Sequence, residues 1–142
     1  MGCVRLLRTE TRTRARALQL LYAWELQDRP PMSEVMPSVA GITRSEATVR
    51  LSAERLAKSV VDQIENLDSA IADTADNWRF ERIGVVERNI CRLALCELKK
   101  GDAPAAVIID EALRLAHWFA GPRAPAFING VLDTLARHHG RL

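Results

Sequence analysis

Apolar residues recur at three- and four-residue steps along most of this chain, the spacing that stacks side chains on one face of an α-helix. Between residues 9 and 27 that face is Ala17, Leu20, Leu21 and Trp24. From Ser45 to about Ala75 it is Leu56, Val60, Ile64, Leu67 and Ile71, in steps of 4, 4, 3 and 4. From about Phe80 to Lys100 it is Ile83, Val86, Ile90, Leu93, Ala94 and Leu98. Residues 103–138 predict two more helices, one carrying Ile108, Ala112, Leu115 and Phe119, the other Phe127, Ile128, Val131 and Leu135. No stretch alternates apolar and polar residues as a half-buried strand does, and no repeat is visible. The expected fold class is all-α, with the helices around one core or two adjoining cores.

Breaker and capping residues mark where the helices end. Lys99 and Lys100 suit the negative end of a helix dipole, and Gly101 suits the exit. Asp102 is the expected N-cap of the next helix, with Pro104 in its first turn. Gly121 closes that helix and Pro125 opens the last one. Asn66 and Asp68 are expected to break the long run from Ser45. Pro30, Pro31, Pro37 and Gly41 make Arg29–Arg44 a loop, with one helical turn near Ser33–Met36. The tail from His139 to Leu142 is expected to fray. Gly130 falls inside a helix, where it costs about 1 kcal/mol against Ala, so it is expected to admit a closely approaching helix. Its neighbour Asn129 is expected to be buried, and a buried amide needs partners. Asp110 or Glu111 on the preceding helix is the nearest candidate.

A chain of 142 residues fits one domain and can bury a core without disulfide or metal staples. Cys3, Cys91 and Cys96 are odd in number and lack C-x-x-C spacing, so they read as reduced thiols. No run approaches the roughly 18 apolar residues of a membrane span, and no signal peptide is visible. A cytoplasmic protein is expected. The net charge of +2 says little, but its distribution says more. Of 20 basic residues only Lys58, Lys99 and Lys100 are lysines, and five arginines fall within the first 16 positions. Arginine is the better residue for bidentate phosphate contacts and for stacking on bases. Arg5, Arg8, Arg12 and Arg16 lie at relative spacings of 3, 7 and 11, so a helix extended that far carries them on one stripe about opposite Leu21. Arg14 falls on the Leu18/Leu21 side and is expected to be partly covered.

No catalytic constellation is present. Asp110 and Glu111 are sequential on a helix and point about 100° apart, so they do not share a substrate. His117 reads as a helix-surface histidine, and His138-His139 as a solvated tail. There is no phosphate-binding loop, dinucleotide turn or nucleophile elbow. No enzyme activity, cofactor or metal is expected. An arginine stripe can meet successive phosphates in a salt-dependent, sequence-independent way. Choice among single-stranded RNA sequences needs base edges or stacking, for which Phe119, Tyr22 and Arg123 are candidates, with a core role favoured for Phe119.

Two segments of the C-terminal helix pair, Val107-Ile108-Ile109-Asp110-Glu111-Ala112 and Phe127-Ile128-Asn129-Gly130-Val131-Leu132-Asp133, resemble the C-terminal signature of the NusB family of bacterial antitermination factors. Arg14, Ala17, Leu18, Gln19, Leu21, Tyr22 and Trp24 resemble the family's first helix. Trp78, Arg82, Ile83, Glu87-Arg88, Ile90, Arg92-Leu93-Ala94 and Glu97-Leu98 resemble its central helix. The resemblance covers nearly the whole chain apart from about residues 29–48. It implies a NusB-like helical domain of two adjoining subdomains, about 1–75 and 76–142. It further implies binding of boxA-type single-stranded leader RNA of ribosomal RNA operons together with NusE, a small-subunit ribosomal protein, in a complex with NusA, NusG and RNA polymerase.

By the same resemblance Arg12 and Arg14 go to RNA with Arg5, Arg8, Arg16 and Arg123. Glu81, Arg82 and Glu87 are the expected protein-partner residues, and Asp110, Asn129 and Gly130 the structural ones. Four positions depart from the family pattern. Asp110 replaces a usual Asn, Cys96 a common Tyr and Ser59 a frequent Gly. Pro122-Arg123-Ala124 replaces a stretch that is often acidic and carries a capping Ser. Arg123 makes that loop more basic, which predicts tighter and less selective RNA binding. An alternative expectation is a helical interaction module related to the NusB-like domain of RNA cytosine methyltransferases, without RNA specificity of its own. The chain stops after the helical domain and carries no methyl-donor site.

Overall fold

A computed structural model describes residues 8–42, 46–74 and 82–141, the side chains of residues 41 and 42 apart. Arg5 and Glu81 lie outside the described residues, as do Trp78 and the expected helix start at Phe80. The described residues form seven helices and no strand. The chain divides after Val61 into two compact units.

The first unit holds α1 (Thr9–Leu26), α2 (Met32–Ile42) and α3 (Ala47–Asp62), whose last residue passes into the second. The expected face of α1 is buried at Ala17, Leu20, Leu21 and Trp24, and Leu18 joins it. Two successive left-handed residues, Asp28 (φ 63°) and Arg29 (φ 58°), turn the chain out of α1. Arg29 N–H donates to Trp24 O at 2.9 Å, and its guanidinium lies 4.8 Å from the centre of the Trp24 ring, a cation–π contact.

The expected loop at 29–44 is instead largely α2, packed on α1. Met32, Val35 and Val39, at i, i+3 and i+7, are buried on one face. Pro37 removes one intrahelical donor, and the Ser38 hydroxyl donates to Val35 O at 2.7 Å beside it. Val49, Ala53, Ala57 and Val60 form the buried stripe of α3.

The second unit holds α4 (Ile64–Thr74), α5 (Val85–Lys100), α6 (Ala105–Phe119) and α7 (Ala124–His138). A single non-helical residue, Gln63, separates α3 from α4, so the break falls before Asn66 and Asp68. Asp68 sits within α4 because its carboxylate is engaged by Arg92 of α5. That pair and the buried Leu67 and Ile71 join α4 to α5 and α7. Asn89 to Cys96 are all buried, which makes α5 the centre on which α4, α6 and α7 pack. It ends at Gly101, left-handed at φ 80° as expected.

The cap of α6 is Pro104, in place of the expected Asp102. Its extended backbone (φ −61°, ψ 142°) leaves Asp102 two residues outside, 3.5 Å from Lys100. The expected burial of Asn129 does not occur. Asn129, Gly130 and Asp110 are all exposed, and a Cβ at Gly130 would meet nothing within 4 Å. Glu111, by contrast, is buried and pairs with Arg114 at 3.4 Å. The tail does not fray as far as Arg141, whose guanidinium donates to Leu98 O at 2.6 Å and to Ala103 O.

Candidate nucleic-acid interface

The arginines of α1 do not share one environment. Arg8, at the N-cap position, is exposed. Arg12 is half-buried and lies 3.6 Å from the exposed Glu46. Arg14 is 8% exposed, in keeping with its place on the Leu18/Leu21 side of the helix. Arg16 is only 4% exposed, so the expected stripe does not continue along the surface. Burial lowers its pKa from the ordinary guanidinium value, Glu54 opposes that shift and Arg50 adds to it. The outward basic groups described on α1 are thus Arg8 and, in part, Arg12. Tyr22, 42% exposed, is available for stacking.

In the second unit a groove of about 460 Å³ is lined by Arg82, Ile83, Gly84, Glu87, Gly121, Pro122, Arg123, Ala124 and Phe127. Two stretches of chain build it, the entry to α5 and the connector from α6 to α7. Arg88 fixes the first by donating from Nη1 to Ile83 O at 2.6 Å. In the second, Ala124 N–H donates to Gly121 O at 3.0 Å, and Pro125 supports the first turn of α7. Arg123 is the N-cap residue of α7 and makes no side-chain cap bond there. It stays exposed at the positive end of the helix dipole, where a phosphate is favoured.

Arg82 and Glu87, expected from the sequence to meet a protein partner, therefore line the same groove as Arg123, expected to meet RNA. Phe127, read from the sequence only as a core residue, is half-buried at the groove wall. Its position one helical turn after Arg123 was the available signal. Gly84 had no sequence signal. Phe119 is 43% exposed rather than core, edge-on to Trp118 with ring centres 6.2 Å apart.

Among the described residues no group of three metal-ligating side chains converges. Cys91 and Cys96 are buried thiols. Burial, with Glu87 acting in the same direction and Arg92 against it, pushes the Cys91 thiol up to about 12. No described helix is long and apolar enough to cross a membrane.

Such an arrangement offers guanidinium groups, aromatic faces and a shaped groove. Its class is the all-helical antitermination-factor fold. The structure of T. maritima NusB matches with a TM-score of 0.82, 27% identity and 91% of each chain covered. A chain of the crystal structure of antitermination factors NusB and NusE in complex with dsRNA matches with a TM-score of 0.83, 26% identity, and coverage of 94% of this chain and 99% of that one. The chain belongs to the NusB family, whose model matches residues 11–137. The transcription antitermination protein NusB of Solibacter usitatus is 37% identical over 127 residues, covering 89% of this chain and 87% of its own. The family is one of RNA-binding antitermination factors and not of enzymes.

Proposed function

We propose that this chain binds boxA-type single-stranded leader RNA of ribosomal RNA operons together with NusE, and joins NusA, NusG and RNA polymerase on the transcript in the cytoplasm. The observation that carries this reading is the groove of the second unit, where Arg82, Arg123 and Phe127 converge at the start of α7. Arg123 and Arg82 hold phosphates there, and Phe127 offers a ring face to a base. Arg8 and Arg12 add phosphate contacts on the first unit. Arg14 and Arg16 fix the helix that presents them. NusE takes another surface, and Glu81 is the residue proposed to meet it. The presence of NusE and dsRNA beside NusB in the complex of a structural neighbour supports NusE and RNA as partners.

The test is a pull-down with NusE, with and without leader RNA, combined with RNA affinity at several salt concentrations. Binding that weakens linearly with log salt, and tightens when NusE is added, is expected. Retention of neither RNA nor NusE would sink the reading. Arg123→Glu is expected to lower affinity and flatten the salt slope.

A further inference from the structure

Among the described residues no ion pair engages Arg50, Arg55 or Lys58, all three exposed on α3. Leu51, Arg55 and Lys58 stand at i, i+4 and i+7, about opposite the buried Val49, Ala53, Ala57 and Val60. The stripe therefore faces water, and Leu51 within it is 47% exposed. Arg50 lies on the flank toward α1, close enough to Arg16 to help lower its pKa.

The acids at hand do not cancel these charges. Glu46, just ahead of α3, lies 3.6 Å from Arg12. Glu54 is half-buried and acts on Arg16, in opposition to Arg50. Asp62 is the acid on the stripe, at its end. Like charges one helical turn apart repel one another, so Arg55 and Lys58 cost the helix stability until something anionic covers them.

Two links join this face to the arginines of α1. Arg12 reaches Glu46 at the entry to α3, and Arg16 feels Arg50 in the first turns of that helix. Basic groups thus run from Arg8 and Arg12 past Arg50 to Arg55 and Lys58. From Arg50 to Lys58 the helix rises about 12 Å. A small anion meets one such group at a time. A phosphodiester chain repeats its charge along a line and meets them in succession. We propose that α3 carries a second phosphate track, on which Arg50, Arg55 and Lys58 hold the RNA flank that leaves α1, without choice among bases. The inference rests on the RNA-binding reading above and adds the path that the transcript takes beyond its first contacts.

The experiment uses the full chain and a labelled short leader tract, with the same tract extended at one end or the other by about six uridines. Fluorescence anisotropy at low salt is expected to show about tenfold tighter binding of one extended RNA, with a salt slope steeper by about 0.7 for each added phosphate contact. Replacing Arg50, Arg55 and Lys58 together by Ala is expected to abolish that gain. Affinity for the short tract and the thermal melt should stay nearly unchanged, because the three side chains are exposed. Arg55→Lys with Lys58→Arg keeps both charges and is expected to keep the gain. Lys99→Ala with Lys100→Ala removes charge from the second unit instead and is expected to keep it too. Equal binding of short and extended RNAs by the native chain would overturn the track and leave RNA binding standing. A triple variant that keeps the gain would also overturn it, and loss of NusE by that variant would assign the face to a protein partner. Failure of the native chain to bind any RNA at low salt would instead remove the reading on which the track rests.

Discussion

Asp68 holds Arg92 through both carboxylate oxygens, with Nε donating to Oδ1 at 2.6 Å and Nη2 to Oδ2 at 2.8 Å. The guanidinium is fully buried, and its Nη1 donates to Asn89 Oδ1 at 2.8 Å. A charge taken this far out of water persists only with such partners. The bond joins α4 to α5, the helix whose first turn carries Glu87. Asp68→Ala is expected to cost about 3–5 kcal/mol in urea denaturation, because it strands the buried cation. Arg92→Met combined with Asp68→Leu and Asn89→Leu is expected to recover most of that loss, since apolar packing of similar volume then replaces the buried pair and the buried amide that Arg92 bonds. A loss below about 1 kcal/mol for Asp68→Ala would show that water reaches Arg92.

The environments of the α1 arginines separate binding from folding. Replacing Arg8 and Arg12 together by Ala is expected to leave the urea midpoint nearly unchanged, because Arg8 is exposed and the ion pair of Arg12 among the described residues is a long one, 3.6 Å, to the exposed Glu46. The RNA salt slope should then fall by about 0.7 for each single-strand phosphate that is no longer neutralised. Arg16→Ala is expected to do the reverse. It removes a buried side chain with electrostatic links to Glu54 and Arg50 and should cost about 1–3 kcal/mol of stability. An Arg16→Ala protein that kept its stability and lost RNA affinity would return Arg16 to the binding surface.

The contrast between Arg8 and Arg16 shows what the pattern of residues reveals and what it hides. Helix periods were legible because each helix buries one apolar stripe, and the faces at Leu21, Ile90, Ile108 and Ile128 are buried as expected. The wheel placed Arg16 opposite Leu21 and therefore in water, an inference that holds only for a helix buried on one side. Thr11, Arg14 and Arg16 are all buried, so the start of α1 is covered more widely. The helix α2 was hidden because Pro30, Pro31 and Pro37 outweighed the short stripe of Met32, Val35 and Val39. The groove was half legible. Arg82, Glu87 and Arg123 each stood out in the sequence, but nothing local to the chain says that the entry to α5 meets the α6–α7 connector.

The end of the chain is expected to contribute to stability through one side chain. Arg141 reaches across 43 residues to Leu98 O and also bonds Ala103 O, so it satisfies backbone acceptors where α5 leads into α6. Helix-end carbonyls without an intrahelical partner must find one elsewhere. Arg141→Ala is expected to lower stability by about 1–2 kcal/mol. It should also speed amide exchange at residues 99–104 more than at the centre of α5. Uniform change along α5 would mean that the tail acts by a less local route.

The buried thiol of Cys91 gives the fold an alkaline limit with a defined sign. Its pKa stands at about 12 in the native protein against an ordinary 9.0. Below pH 9 the thiol is protonated whether the chain is folded or not, so that stability is fully present. Between 9 and 12 the unfolded chain releases the proton and the native chain keeps it. Stability therefore falls as pH rises through this window, by up to about 1.4 kcal/mol per unit. Lysine and tyrosine side chains ordinarily titrate in the same range, so the readout is the difference from Cys91→Val, which lacks the thiol. The urea midpoints of the two proteins should run parallel below pH 9 and then diverge, with the native sequence losing more. At pH 8 a thiol reagent should label Cys91 only as fast as the chain opens, because a protonated, buried sulfur is not a nucleophile. Rapid labelling of the folded protein would place Cys91 at the surface, and with it the α5 face now read as core.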